Sequence, residues 1–363
     1  MNNQRGFALV TVIVIVAALT AVVASVALIA TAAVDRARID REQLAHEQDS
    51  LSTQETLLFL LATQRMTVGG LTVDDRVVMT ADDEIIAEAE GASFLPPPNP
   101  VGNEIRLDGR RYAGLGQVRF SVQDDRGLVS VNSAPPTLRR LALVSLLGES
   151  HEVPWDAFED ARLDFQDQDD LRRLNGAEAR EARETGLPPP KNAAIDSPLE
   201  LSGALHWKDA LDAVDVDTVM GLLSASREAG VNINTAPPPV LALLAKGRTD
   251  LIERVLAQRA AQPFLTPDAF TSLVPLAEEE AEWIFSYPSP SGLIRLSSPG
   301  KPTRIVHWTL TPIDEEGGPW RIDFDLEVPW RGGAESTIGD EGHPAEAAPS
   351  PLLAQPLGND RAG

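Results

Sequence analysis

Residues 7–34 carry no charged side chain, and Thr11, Thr20, Ser25 and Thr31 are the polar interruptions. At about 1.5 Å rise per residue, a helix of that length exceeds the ~30 Å hydrocarbon core of a bilayer. Beyond it the periodicity stays helical: Ala37, Leu44, Leu51 and Leu58 recur every seven residues, and Leu57, Leu60 and Leu61 widen the stripe. No Pro or Gly occurs between residues 7 and 65. One helix is therefore expected over 7–65, with 7–34 transmembrane and the remainder amphipathic. Gly69 and Gly70 then supply a break.

Downstream the pattern shortens. Val118, Phe120 and Val122 alternate with polar residues, Asp124-Asp125-Arg126-Gly127 reads as a turn, and Leu128, Val129 and Val131 resume. The run from Leu95 to Pro100 is too rich in proline to join a ladder. A small antiparallel sheet packed on the amphipathic helix is expected over 66–136. Helical stretches follow at 137–147, 154–163, 199–204, 214–225, 237–245, 250–261 and 267–273. Ser197-Pro198, Thr235 before Pro237, and Thr266-Pro267 mark helix starts. These define an all-α insert at 137–285. Residues 304–310 and 320–328 return to a β pattern around Asp314-Glu315-Glu316-Gly317-Gly318, a hairpin within the closing segment 286–330. Residues 331–363 are poor in large apolar side chains and read as a disordered tail.

Composition narrows the chemistry. The formal net charge is −23, which argues against a nucleic-acid partner, because phosphate binding needs clustered cations. There is no cysteine, so disulfides and thiolate chemistry are excluded. The five histidines are scattered without a metal-binding spacing. No nucleophile elbow or phosphate-binding loop occurs, and no enzymatic constellation is read.

The first residues, Met1 to Gly6, are polar with one cation, Arg5. A secretory signal cut at Ala30-Thr31-Ala32 and a plain uncut anchor are both compatible with the apolar run, although a signal's apolar region is usually only ~7–15 residues. Arg36, Arg38 and Arg41 follow the run, so the positive-inside rule does not give an N-in orientation.

Arg5-Gly6-Phe7-Ala8-Leu9-Val10-Thr11 resembles a type IV prepilin leader. Residues 1–6 would be the leader, cut between Gly6 and Phe7, with Phe7 the N-methylated first residue. The fifth mature position is Thr11, where most pilins and pseudopilins carry Glu; a carboxylate in a bilayer is costly unless paired. The resemblance implies that this Glu neutralises the N-terminal amine of the subunit above, so Thr11 would mark a tip subunit, above which nothing must stack. Gln123-Asp124-Asp125-Arg126-Gly127-Leu128-Val129-Ser130-Val131-Asn132 and Val231-Asn232-Ile233-Asn234-Thr235-Ala236-Pro237 are similar to segments of the type II secretion minor pseudopilins of the K type.

The resemblance implies a pilin-like α+β fold with a long N-terminal transmembrane helix, a small antiparallel sheet and a large all-α insert. It implies a minor pseudopilin at the tip of the type II secretion pseudopilus, acting in initiation of assembly and in export across the outer membrane. The implied partners are other minor pseudopilins in a tip complex, the prepilin peptidase and the inner-membrane assembly platform. The implied location is the inner membrane, single-pass, with the soluble domain in the periplasm. Asp164, Asp167, Asp169 and Asp170, followed by Asn175-Gly176-Ala177-Glu178, match the K-type acidic segment. Oxygen donors of this kind suit calcium, which takes about six to eight of them, with Asp167, Asp169, Asp170 and Glu178 the candidate ligands. The other reading is a solvated acidic loop beside Arg172 and Arg173.

Residues 232–250 also resemble a helix-hairpin-helix DNA-binding unit, but Ala245-Lys246-Gly247-Arg248-Thr249-Asp250 lacks that unit's second glycine. Asn232, Asn234 and Thr235 are expected instead to cap and pin a loop into the next helix. A helix-hairpin-helix envelope protein of a competence-type system and a type IV pilus minor pilin are the alternative functions.

Overall fold

The computed structural model describes residues 4–73, 99–148, 152–312, 314 and 317–329, with side chains from residue 11 onward. The expected tail, 331–363, lies outside them. The chain divides into two compact units, Met1–Ser52 and Thr53–Gly363.

Helix α1, Gln4–Thr63, is continuous, as the absence of Pro and Gly predicts. In the first unit its valine, leucine and isoleucine side chains from Val12 to Val34 are exposed, each by half or more. Thr20, Ser25 and Thr31 return their hydroxyls to carbonyls one turn back, which satisfies these groups without water. The helix is long and apolar enough to cross a membrane. The heptad stripe changes character along its length. Leu44 and Leu51 are exposed, whereas Leu57, Leu58 and Leu61 are buried.

In the second unit a five-stranded antiparallel sheet is the centre. Its strands are β3 (Asp108–Ala113), β4 (Arg119–Asp124), β9 (Ser291–Ser297), β10 (Thr303–Leu310) and β11 (Trp320–Val328), ordered β11-β10-β9-β4-β3. The remaining strands are short: β1 (Met66–Thr67), β2 (Gly70–Leu71), β5 (Val129–Ser130), β6 (Leu223–Ser224), β7 (Val231–Asn232) and β8 (Ile284–Phe285). On one sheet face Phe120, Val122, Ile294, Leu296, Val306 and Trp308 pack with Leu57, Leu58 and Leu61. Each such fully buried leucine contributes on the order of 2 kcal/mol. The opposite face supplies Leu293, Ile305 and Val328 to the core of the insert. Strand period two thus divides adjacent residues such as Leu293 and Ile294 between two cores.

The insert holds helices α2 (Pro136–Leu147), α3 (Trp155–Gln166), α4 (Ala179–Glu184), α5 (Trp207–Asp212), α6 (Val216–Met220), α7 (Pro238–Leu244), α8 (Thr249–Ala261), α9 (Pro267–Thr271) and α10 (Glu278–Ala281). It is not all-α. Strand β5 leaves the antiparallel sheet and pairs in parallel with β6, and β7 pairs in parallel with β8. The expected helix over 214–225 accordingly stops at Met220 to admit β6. The run at 129–131 is likewise not a return strand beside β4. It enters the insert, because Asp125–Gly127 forms a 3-10 turn that redirects the chain.

Candidate functional site

Two clusters of buried carboxylates lie at the ends of elements, and they differ in how they are satisfied. The first is built on Asp124, the last residue of β4, which is fully buried. Its Oδ2 accepts from Asn232 Nδ2 at 2.9 Å and Thr235 Oγ1 at 2.7 Å. Its Oδ1 accepts from the Ser289 amide at 2.9 Å, Ser289 Oγ at 2.7 Å and the Arg126 amide at 3.1 Å. Burial raises its pKa, and the Thr235, Ser289 and Asn232 hydrogen bonds partly counter that rise.

Asn234 reaches the other way, donating to the Phe264 and Ser286 carbonyls and accepting from the Phe264 amide, all at 2.8 Å. The Asn and Thr side chains therefore pin their loop, as expected. They do not cap α7, whose N-cap is Pro237, and no side-chain cap bond forms there. Gly127 belongs to the same contact: a Cβ there would lie 2.6 Å from the Thr235 carbonyl oxygen.

Beside Asp124, His307 on β10 bridges two further carboxylates, with Nε2 at 2.8 Å from Asp125 and Nδ1 at 2.8 Å from Asp323 on β11. Burial alone would lower its pKa, but Asp125 and then Asp323 raise it to about 9. Asp323, despite its own burial, is held well below the usual carboxylate range by hydrogen bonds from His307, Thr309 and Arg321.

The second cluster closes α3 and the loop after it. Asp164 is fully buried and takes Arg173 Nη1 at 2.7 Å, together with the Arg173 amide. The same Nη1 also pairs with Asp167 Oδ2. Asp169 Oδ1 accepts from the Leu171 amide. Glu178, ahead of α4, is only 6% exposed, yet among the described residues neither of its carboxylate oxygens has a hydrogen-bond partner. Asp167 Oδ1 is likewise buried and unpartnered. Burial and then the charges of Asp164, Asp167, Asp170 and Asp169 raise the Glu178 pKa to about 7. Gly176 is required by the crowding, since a Cβ there would lie 2.0 Å from Asp164 Oδ2.

Among the described residues, no three carboxylate or imidazole groups are gathered tightly enough to hold a metal as they stand. The donors nevertheless fit a hard divalent cation in kind, being carboxylate oxygens, and Glu178 Oε1, Glu178 Oε2 and Asp167 Oδ1 lack a hydrogen-bond donor among the described residues.

Of the N-terminal positions, Gly6 and Phe7 fall in the first turns of α1 by backbone, and their side chains lie outside the described residues. Thr11 sits on the exposed apolar part of that helix. At the hairpin between α7 and α8, Lys246 and Gly247 both take left-handed backbone, the first at φ 54° and the second at 75°. The cations there are neutralised: Lys246 pairs with Glu280, and Arg248 and Arg254 pair with Asp250. This arrangement does not favour the DNA-binding alternative.

Asp124 as a hub, the His307 bridge and the Arg173 clamp were not legible as sites. Asp124 and Asp125 read as a turn within a K-type segment, without a role of their own, and Arg173 only as a neighbour of the acidic loop.

Residues 231–284 match the family described as type II secretion system (T2SS), protein K. No curated protein sequence matches the chain. A chain of the GspK–GspI–GspJ complex from the enterotoxigenic Escherichia coli type 2 secretion system is 16% identical. The alignment covers 81% of this chain and 100% of that one, with a TM-score of 0.49. The matched segment is a closed unit here: it begins on β7 and ends on β8, the two strands that pair with each other. The family match and the K-type resemblance read from the sequence coincide on the Asn232-Ile233-Asn234-Thr235-Ala236 segment.

Proposed function

We propose that this chain, which carries the protein K segment of type II secretion, is a minor pseudopilin at the tip of the pseudopilus. The observation that supports this most is the way Asp124, on the central sheet, holds the Asn232 and Thr235 side chains of the family-matched segment. That makes the insert part of the same folded body as the sheet, and the family feature part of its architecture. In this reading the chain is anchored by α1 in the inner membrane with Thr53–Gly363 in the periplasm. The prepilin peptidase cuts after Gly6 and methylates Phe7, and the assembly platform then extracts the helix. Other minor pseudopilins pack beside it, and the tip complex initiates the filament that drives export across the outer membrane. Thr11 fits a terminal subunit, since no Glu is present at that position to recruit a subunit by its amine.

The same reading places a calcium ion at the second carboxylate cluster, held by Glu178 and Asp167 with Asp169 and Asp170 nearby. When bound, the ion would supply the positive charge that the buried oxygens lack. The residues themselves fix the loop: Asp164 holds the Arg173 amide and Asp160 holds Asn175.

N-terminal mass analysis of the mature protein tests the reading. The expected product begins at a methylated Phe7, and Gly6→Glu is expected to block processing and secretion together. Normal secretion by an uncut, membrane-held chain would overturn it.

A further inference from the structure

In the second cluster one cation is already present, and it belongs to the chain. Arg173 Nη1 contacts both Asp164 and Asp167, the two carboxylates closest in sequence to the end of α3. A guanidinium carries a single charge and donates along fixed directions, so it leaves part of the oxygen set unserved. That remainder is Asp167 Oδ1 and both oxygens of Glu178, which are buried without a donor among the described residues. A divalent ion accepts oxygens from several directions and would satisfy them together.

We propose that Arg173 is an internal stand-in for the cation, occupying Asp164 and Asp167 while the ion is absent and leaving when it binds. The inference rests on the cation-site reading above. The two partners of the pair are unequal in a way that suits such an exchange. The Asp164 side chain is fully buried and cannot follow the arginine outward, whereas the Arg173 side chain is 35% exposed. The Arg173 amide donates to both Asp164 oxygens, at 3.3 and 3.1 Å, so the loop backbone stays tethered while the side chain swings. Leu171 and Leu174, in the same loop, are 78% and 86% exposed, so the segment that carries Arg173 is not anchored by its own leucines.

Exchange has two consequences. Calcium must displace an ion pair, so affinity is lower than the oxygen set alone would give. Removing the guanidinium also leaves the cluster more negative and its donors free, so affinity rises.

Calorimetric calcium titrations of the full chain in detergent micelles, wild type against Arg173→Gln, test this. Binding by both, with the variant tighter by roughly tenfold, is the expected result. Binding by the wild type with the variant equal or weaker would overturn the role of Arg173 and leave the cation site standing. Binding by neither would overturn both.

Should Arg173→Gln fail to fold, the wild type carries the test alone through the NMR resonance of the Arg173 side-chain Nε–H. Saturating calcium is expected to move it to the position of a free, solvated arginine. An unmoved resonance in protein that has bound calcium would overturn the proposal.

Discussion

Asp124 and Glu178 are both carboxylates withdrawn from water, and the chain treats them in opposite ways. Around Asp124 it supplies five hydrogen bonds from Arg126, Asn232, Thr235 and Ser289. Around Glu178 the described residues supply none, and the charges of four more acidic residues act on it. A buried charge without a partner costs far more than one that is hydrogen-bonded. The first carboxylate is therefore a finished structural joint between the sheet and the insert. The second is a buried carboxylate without a donor among the described residues, and the proposed cation site rests on that contrast. Buried acidity alone does not separate structure from binding.

The largest expected effect lies at the finished joint. Asp124→Ala leaves the Asn232, Thr235 and Ser289 donors unpaired and should cost about 3 kcal/mol in denaturant unfolding of the full chain. A loss within experimental error of zero would break the comparison from that side.

His307 is next, because it ties Asp125 to Asp323 beside the same joint. Its folded pKa, about 9, is raised above the ordinary 6.5, so the folded chain holds the proton more tightly. This contribution is fully present below about pH 6.5 and is lost as pH rises through about 9, amounting to up to about 3 kcal/mol. His307→Gln should abolish that alkaline loss in unfolding measurements between pH 6 and about 10. An unchanged slope would remove His307 from the joint.

The smallest effect sharpens the comparison most. In chelator, Glu178→Gln should not destabilise the chain and should raise its stability by about 1 kcal/mol, since it removes an unpaired buried charge. It should also abolish any rise in melting temperature on adding calcium. A cost comparable with that of Asp124→Ala would mean that both carboxylates do the same job.

The sequence reading of the fold succeeded where periodicity is local. Helix α1 follows from an uninterrupted apolar run, and β10 and β11 from alternation around an acidic, glycine-ending turn. Strand β9 was not anticipated, because Leu293 and Ile294 face different cores and so erase the alternation that marks a one-sided strand. The parallel pairs β5–β6 and β7–β8 were hidden for another reason: two-residue strands carry no periodic signal, and their partners lie far away in sequence. At the sites, Asn232, Asn234 and Thr235 stood out as a motif, but Asp124, the partner of Asn232 and Thr235, lies over a hundred residues upstream. The acidic run was visible in full. Which of its members is left without a donor depends on Arg173 choosing Asp164 and Asp167, and only three-dimensional placement reveals that choice.

The most direct test of this account is an experimental structure of the full chain determined in saturating calcium. The expected result is an ion at about 2.3–2.6 Å from carboxylate oxygens of Glu178 and Asp167, with the Arg173 guanidinium withdrawn from Asp164. The contradictory result is a cluster without an ion, in which Arg173 still joins Asp164 to Asp167 and Glu178 remains unpartnered.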